Sequence, residues 1–164
     1  MRLYTTQIKT PIGWIDISGT AQAIRSIRMA TTRHKCNHTA LPEVIQQCIL
    51  QLTEYFQRQR TSFELPLDYS GAPLFYQKVW DALRQIPYGH TASYLDIARQ
   101  LRNPKATRAV GQANRANPIA IIVPCHRVIA ANGQLGGYFY GTNVKRYLLQ
   151  LENPTSFACQ PTLF

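Results

Sequence analysis

The residues of this chain best suited to covalent chemistry are Cys125 and His126, in the run Pro124-Cys125-His126-Arg127-Val128. A free thiol titrates near pKa ~8.5, so at neutral pH only a few per cent is thiolate unless a base or cation helps. A histidine next door is such a base. The apolar run before the pair, Ile119 to Val123, reads as a buried strand, and consecutive side chains on a strand point to opposite faces. The two side chains meet only if the chain turns, and Pro124, which cannot donate to a ladder, favours a turn there. A single cysteine is more often a small buried hydrophobe, so the surroundings of Cys125 decide.

Three helical patterns precede the pair. Phe75, Val79, Leu83 and Ile86 are spaced as one helix face over 73–85, ended by Ile86-Pro87-Tyr88-Gly89. Ser93, with Asp96 three residues on, forms a capping box for a second helix that turns Ile97, Ala98 and Leu101 inward. Asn103 before Pro104 reads as the N-cap of a third, running to about Ala116 and stopping before Asn117-Pro118. Two helices joined by a tight turn suggest a helix-turn-helix. The third is thin, with Ala106, Ala109, Gly111, Ala113 and Ala116. Glycine costs ~1 kcal/mol relative to alanine in a helix interior, which implies a steric reason for Gly111. Arg108, Gln112 and Arg115 share one face. Such a helix either enters a nucleic-acid groove or packs on a neighbour with a solvated basic face.

The first part of the chain reads differently. Leu3–Ile8, Trp14–Ser18 and Ile24–Met29 are three strand candidates, the first two joined by Thr10-Pro11-Ile12-Gly13. An amphipathic helix follows from about Pro42 to Gln57, and Phe63–Asp68 reads as extended. Tyr69-Ser70-Gly71-Ala72-Pro73 has the composition of a linker. The expected class is α+β. Residues 1–70 would form a small N-terminal α/β support domain with an antiparallel-type sheet. Residues 71–164 would form a mainly helical domain with the helix-turn-helix.

Charge points the same way. The 164 residues carry 18 basic and 8 acidic side chains, a net +10. Residues 1–70 hold 8 basic and 5 acidic groups, and residues 71–164 hold 10 and 3. The excess lies with Cys125 and suggests a polyanionic partner. Cys36, Cys48, Cys125 and Cys159 make no dense disulfide framework, no signal peptide opens the sequence, and no apolar run approaches the ~20 residues of a membrane span. A reducing compartment is expected: the cytoplasm of a bacterial-type cell, or the nucleus of a eukaryote. His34, Cys36 and His38, with Cys48 further on, match no standard zinc spacing and read as a polar loop.

The ordered set Arg108 to Pro118 and Ile121 to Ile129 resembles the active-site block of the O6-alkylguanine-DNA alkyltransferases (methylated-DNA–protein-cysteine methyltransferases). Val79-Trp80, Ile86 to Gly89 and Ser93-Tyr94 upstream continue the match, as do Gly136-Gly137-Tyr138 and Lys145 to Glu152 downstream. The resemblance covers Pro73 to Glu152 in unbroken order. It implies a single-turnover DNA-repair protein acting on double-stranded DNA containing O6-alkylguanine and O4-alkylthymine; a monomer without cofactor is expected, and, from the spacing of His34, Cys36, His38 and Cys48, no metal. The flipped-out nucleotide would give its alkyl group to Cys125. The resemblance assigns His126 as the base acting through water, Glu152 as the carboxylate orienting it, Asn117 as the residue holding the network, and Tyr94 as donor to the departing base. Arg108 would fill the vacated stack, with Asn103, Gln112 and Arg115 as further DNA contacts. Val128, Gly137, Tyr138 and Tyr140 would line the base pocket. The family pattern there is Gly-Tyr-x-Gly-Gly, whereas this chain has Gly137-Tyr138-Phe139-Tyr140-Gly141, so a ring replaces a glycine.

Three other readings compete. A non-catalytic binder of alkylated DNA would lack the cysteine. A cysteine hydrolase could use the same Cys, His and Glu, but needs neither the thin basic helix nor the charge bias. A piece of a larger transcriptional regulator would carry an added zinc-cysteine domain.

Overall fold

The computed structural model describes residues 1–36 and 40–156. It divides into two compact units. One comprises Met1–Ala72 together with Pro118–Ile122, the other Pro73–Asn117 with the residues from Val123 on.

The first unit is an antiparallel sheet of β1 (Tyr4–Thr10), β2 (Gly13–Gly19) and β3 (Ile24–Met29), in that order, with Tyr4 opposite Gly19 and Ile17 opposite Ile27. Alternation drives it: Ile15, Ile17, Ile24 and Ile27 point to one buried face. Gly13 closes the β1–β2 hairpin at φ +113°. Gly19 sits at a bulge where a Cβ would lie 2.4 Å from the Ala23 carbonyl oxygen, so no larger residue fits. Helix α1 (Glu43–Phe56) covers the sheet with Ile45, Cys48, Leu52 and Tyr55. Buried Gln51 binds both the N–H and the C=O of Glu64, and Leu67 bridges to Ile24, which fixes the extended 60s segment.

Here the structure corrects one expectation. Ile119–Val123 is buried but is not a strand. Ile119 makes an isolated bridge to Ile27, whose N–H donates to the Pro118 carbonyl (2.9 Å) and whose carbonyl accepts from the Ala120 N–H (3.1 Å). Ile121 then takes φ +72°, and the Ile122 N–H donates to the Ala120 carbonyl (2.9 Å). That is a γ-turn of the rarer, strained kind, at a β-branched residue.

The second unit is mainly helical: α2 (Leu74–Leu83), α3 (Tyr94–Gln100), α4 (Thr107–Arg115) and α5 (Thr142–Glu152). Two short strands, β4 (Ala92–Ser93) and β5 (Val128–Ile129), pair in parallel. The Trp80 indole donates to the Ala113 carbonyl at 2.7 Å and pins α2 to α4. The Ser93–Asp96 capping box is present in both directions. The turn after α3 departs from the sequence reading. Arg102 occupies the left-handed region (φ +59°), and the Arg102 and Asn103 N–H groups close α3 onto the Arg99 and Ala98 carbonyls. This is a Schellman ending without its usual glycine. The Asn103 side chain therefore caps nothing, and Pro104–Ala106 form a 3-10 turn before α4. The expected steric need at Gly111 is also absent within the fold: a Cβ there would meet the Tyr94 ring at 3.9 Å, an ordinary contact.

Among the described residues no helix is long and apolar enough to cross a membrane, and no three His, Cys, Asp or Glu side chains are grouped to hold a metal. Cys36 is exposed and Cys48 is buried within α1. His34 approaches Asp16 at 3.9 Å. His38 and Cys159 lie outside the described residues.

Candidate active site and nucleic-acid face

Pro124, with φ −82° and ψ 64°, makes an inverse γ-turn closed by the Cys125 N–H on the Val123 carbonyl (2.8 Å). Cys125–Arg127 follow as one 3-10 turn. This turn fans three consecutive side chains into the interior, and Cys125, His126 and Arg127 are all buried.

A buried charge network lies behind the sulfur. Glu152, at the end of α5, takes His126 Nε2 on Oε1 at 2.6 Å. Arg127 grips the same carboxylate with Nε (2.8 Å) and Nη2 (2.9 Å), and gives Nη1 to the Ile86 carbonyl (2.7 Å). Burial alone would raise the Glu152 pKa, but the hydrogen bonds and charges of His126 and Arg127 outweigh it, holding the carboxyl well below the usual range. Burial lowers the His126 pKa, which the bond to Glu152 only partly offsets. Arg127 is thus the standing counterion, and His126 is neutral. Because Glu152 accepts from Nε2, the imidazole proton sits there and Nδ1 carries the lone pair. Nδ1 is buried and has no hydrogen-bond partner among the described residues, so no direct Cys125–His126 bond forms.

The sulfur has other neighbours. Burial raises the Cys125 pKa, against hydrogen bonds from Asn117 and Tyr138 and the charge of Lys145. The resting thiol donates to Tyr138 Oη at 4.0 Å. Asn117 Nδ2 also donates to the Val123 carbonyl (2.8 Å), which ties the end of α4 to the turn. Half-buried Tyr94 has its pKa raised by burial and then by the charge on Cys125.

Sequence reasoning gave no role to three residues that complete this arrangement. Arg127 is one. Lys145 is another: it is fully buried, donating to the Val128 (2.6 Å) and Gly137 (3.0 Å) carbonyls, with its pKa lowered by burial to about 8. Asn114 is the third, buried on α4 with Nδ2 on the Cys125 carbonyl (3.4 Å). The signal for Asn114 was present in its spacing from Val110, which puts it on the inner face of the helix. A lysine seven residues before Glu152 gave no such signal.

The structure brings together Cys125, Asn117 and Tyr138, and separately His126 with Glu152. Val128 is buried in β5, Gly137 is exposed, and Tyr140 is half-buried. Asn103, Arg108, Gln112 and Arg115 are all exposed, whereas Val110, Ala113 and Asn114 face inward. A basic outer helix face and a buried thiol network thus share one compact unit.

Comparison with known proteins fits this geometry. Residues 3–69 match the ribonuclease-like domain of 6-O-methylguanine DNA methyltransferase, and residues 74–154 match its DNA binding domain. The methylated-DNA–protein-cysteine methyltransferase of Methanosarcina acetivorans is 42% identical over 92% of this chain and 98% of its own length. The protein of that name from Mycobacterium bovis is 46% identical over 88% and 89%. A crystal structure of Mycobacterium tuberculosis OGT in complex with DNA superposes with a TM-score of 0.81 at 45% identity, covering 90% of this chain and 91% of that one. With relatives this similar over nearly its whole length, the chain belongs to the 6-O-methylguanine DNA methyltransferase family.

Proposed function

We propose that this protein repairs duplex DNA by moving the alkyl group of O6-alkylguanine, and of O4-alkylthymine, irreversibly onto its own Cys125. The observation that carries this reading is the buried Cys125 beside a neutral His126 whose Nε2 is committed to an ionised Glu152. That arrangement leaves Nδ1 as the proton acceptor, through one water. The Cys125 sulfur attacks the alkyl carbon in line. The S–C bond forms as the C–O6 bond breaks, and the electron pair leaves with guanine. Tyr94 donates a hydrogen bond to the departing base, where negative charge develops. Asn117 holds the turn, and Val128, Gly137, Tyr138 and Tyr140 line the pocket. A thioether has no built-in route back to thiol, so each molecule reacts once.

The target atom lies inside a stacked duplex, so the nucleotide must be extruded at a cost of a few kcal/mol. The exposed face of α4 suits this: Arg108 enters the stack, while Asn103, Gln112 and Arg115 contact the backbone in a helix-turn-helix with α3. Phosphate contacts and groove shape are sufficient without sequence readout. Residues 1–70 serve as support and residues 71–164 carry binding and transfer. The protein works as a monomer, without cofactor or metal, in the cytoplasm, where a free thiol persists.

Intact mass after incubation with a duplex containing O6-methylguanine tests the reading. The expected result is one added methyl per protein, mapped to Cys125, with guanine restored in the DNA. Binding without mass gain would leave a lesion binder, and repeated turnover a hydrolase. Either would overturn the proposal.

A further inference from the structure

The turn after the pocket loop carries two aromatic side chains: Phe139, to which the reaction scheme gives no task, and Tyr140, which it places only at the pocket wall. Gly141, at φ +96°, donates its N–H to the Tyr138 carbonyl (3.0 Å), so Phe139 and Tyr140 occupy the two corners of a turn. The Tyr140 ring lies edge-on to Tyr138, with centroids 5.7 Å apart and planes at 69°. Phe139, 64% exposed, lies edge-on to Tyr140 at 5.0 Å and 89°. The Arg115 guanidinium caps the row 6.0 Å from the Phe139 ring. The row ends at the Tyr138 hydroxyl, 4.0 Å from Cys125 Sγ.

We propose that Tyr140 is a positioning residue: by packing edge-on against Tyr138 it holds that hydroxyl beside the Cys125 sulfur, where it donates to the thiolate once the proton has left. This rests on the transfer reaction above and adds a residue to it. Lys145 anchors the backbone of this loop through the Gly137 carbonyl, and the half-buried Tyr138 ring meets Tyr140 edge-on, a contact that favours the ring orientation bringing its hydroxyl to the sulfur. An edge-to-face pair of this kind changes the population of the aligned ring by a factor of roughly 2 to 10. Tyr140 thus acts on the thiol through Tyr138, and does not merely narrow the entrance. Phe139 and Arg115 form the outer half of the same row, so an aromatic relay runs from the last turn of α4 to the nucleophile.

The test is the pH profile of Cys125 alkylation by iodoacetamide, followed by mass on the Cys125 peptide of the full-length protein. Tyr138→Phe removes the donor and should move the midpoint to higher pH. Tyr140→Gly should move it the same way by about 0.3 to 1 pH unit, with a 2- to 10-fold slower reaction below the midpoint. Tyr140→Phe keeps the ring and should keep the profile. The double variant Tyr138→Phe/Tyr140→Gly should shift no further than Tyr138→Phe alone. An unmoved midpoint in Tyr140→Gly, or a shift adding to that of Tyr138→Phe, would overturn the proposal. So would a uniform rate change at every pH, which signals a wider entrance. The profile needs no DNA, so failure to demethylate O6-methylguanine would count against the function and leave this result readable.

Discussion

Replacing Arg127 by methionine tests the charge network most directly. The variant keeps much of the side-chain length but deletes two bonds to Glu152 and one to the Ile86 carbonyl. Glu152 would remain buried with one neutral imidazole and the Gly89 N–H at 3.4 Å. Removing one partner of a buried ion pair costs about 3–5 kcal/mol, a large share of the ~5–15 kcal/mol that holds a typical domain. At this chain length that is a fall of roughly 6–20 °C in Tm. The sign of the pH dependence follows from Glu152. Its folded pKa is depressed, so it contributes stability above the unfolded value of ~4.3 and loses it as pH falls through the folded value. In the variant that contribution is gone, so the gap to the unmodified protein should be full at pH 7 and shrink below about pH 4. Urea unfolding read by tryptophan fluorescence from pH 7 to 3 measures it. Removing Arg127 also removes a charge that lowers the His126 pKa, so the acid limb of the alkyl-transfer rate should move to higher pH. A loss below ~1 kcal/mol, or a gap unchanged down to pH 3, would refute the account, since packing loss does not titrate.

Three further outcomes are expected. Label from alkylated DNA should map to Cys125 and never to Cys48, whose thiol burial pushes to about 12, and Cys125→Ala should bind DNA with unchanged affinity while gaining no mass. Arg108→Ala should slow repair of duplex far more than reaction with free O6-alkylguanine base, and affinity should fall steeply with salt; equal losses on both substrates would remove the finger role. Gly111→Ala should raise stability by up to ~1 kcal/mol, since the fold leaves room for the methyl; weakened duplex binding alongside it, by titration, would show that the glycine serves DNA approach.

The sequence was most legible where local rules and tertiary packing agree. Ser93 and Asp96 announce their helix because the capping box is a contact within one turn. The alternation in β1–β3 and the 3,4-spacing in α1 are equally local. The run Ile119–Val123 misleads because its apolar character reports burial, which a bridge and a γ-turn satisfy as well as a strand. The end of α3 was obscured in a different way: the left-handed position that usually holds glycine holds Arg102, so Asn103 took on the look of a cap. At the site, resemblance named Glu152, and no spacing rule could pair it with an arginine 25 residues earlier. Only the fold brings Arg127, His126 and the end of α5 to one carboxylate.

The five residues Pro118–Ile122 pack with the first unit although the chain on both sides belongs to the second. This has a consequence for biosynthesis. On a ribosome, residues 1–72 emerge first, yet the edge offered by Ile27 finds its partner Ile119 only after α2, α3 and α4 have been made. The early part of the polypeptide therefore waits, incomplete, for a clasp that arrives seven residues ahead of the nucleophile. Cys125 is synthesised just after that clasp, and Glu152 later still. The same threading means that no single cut separates the two units: a piece beginning at Pro73 carries the clasp away from its seat and leaves Ile119 to Ile122 facing water.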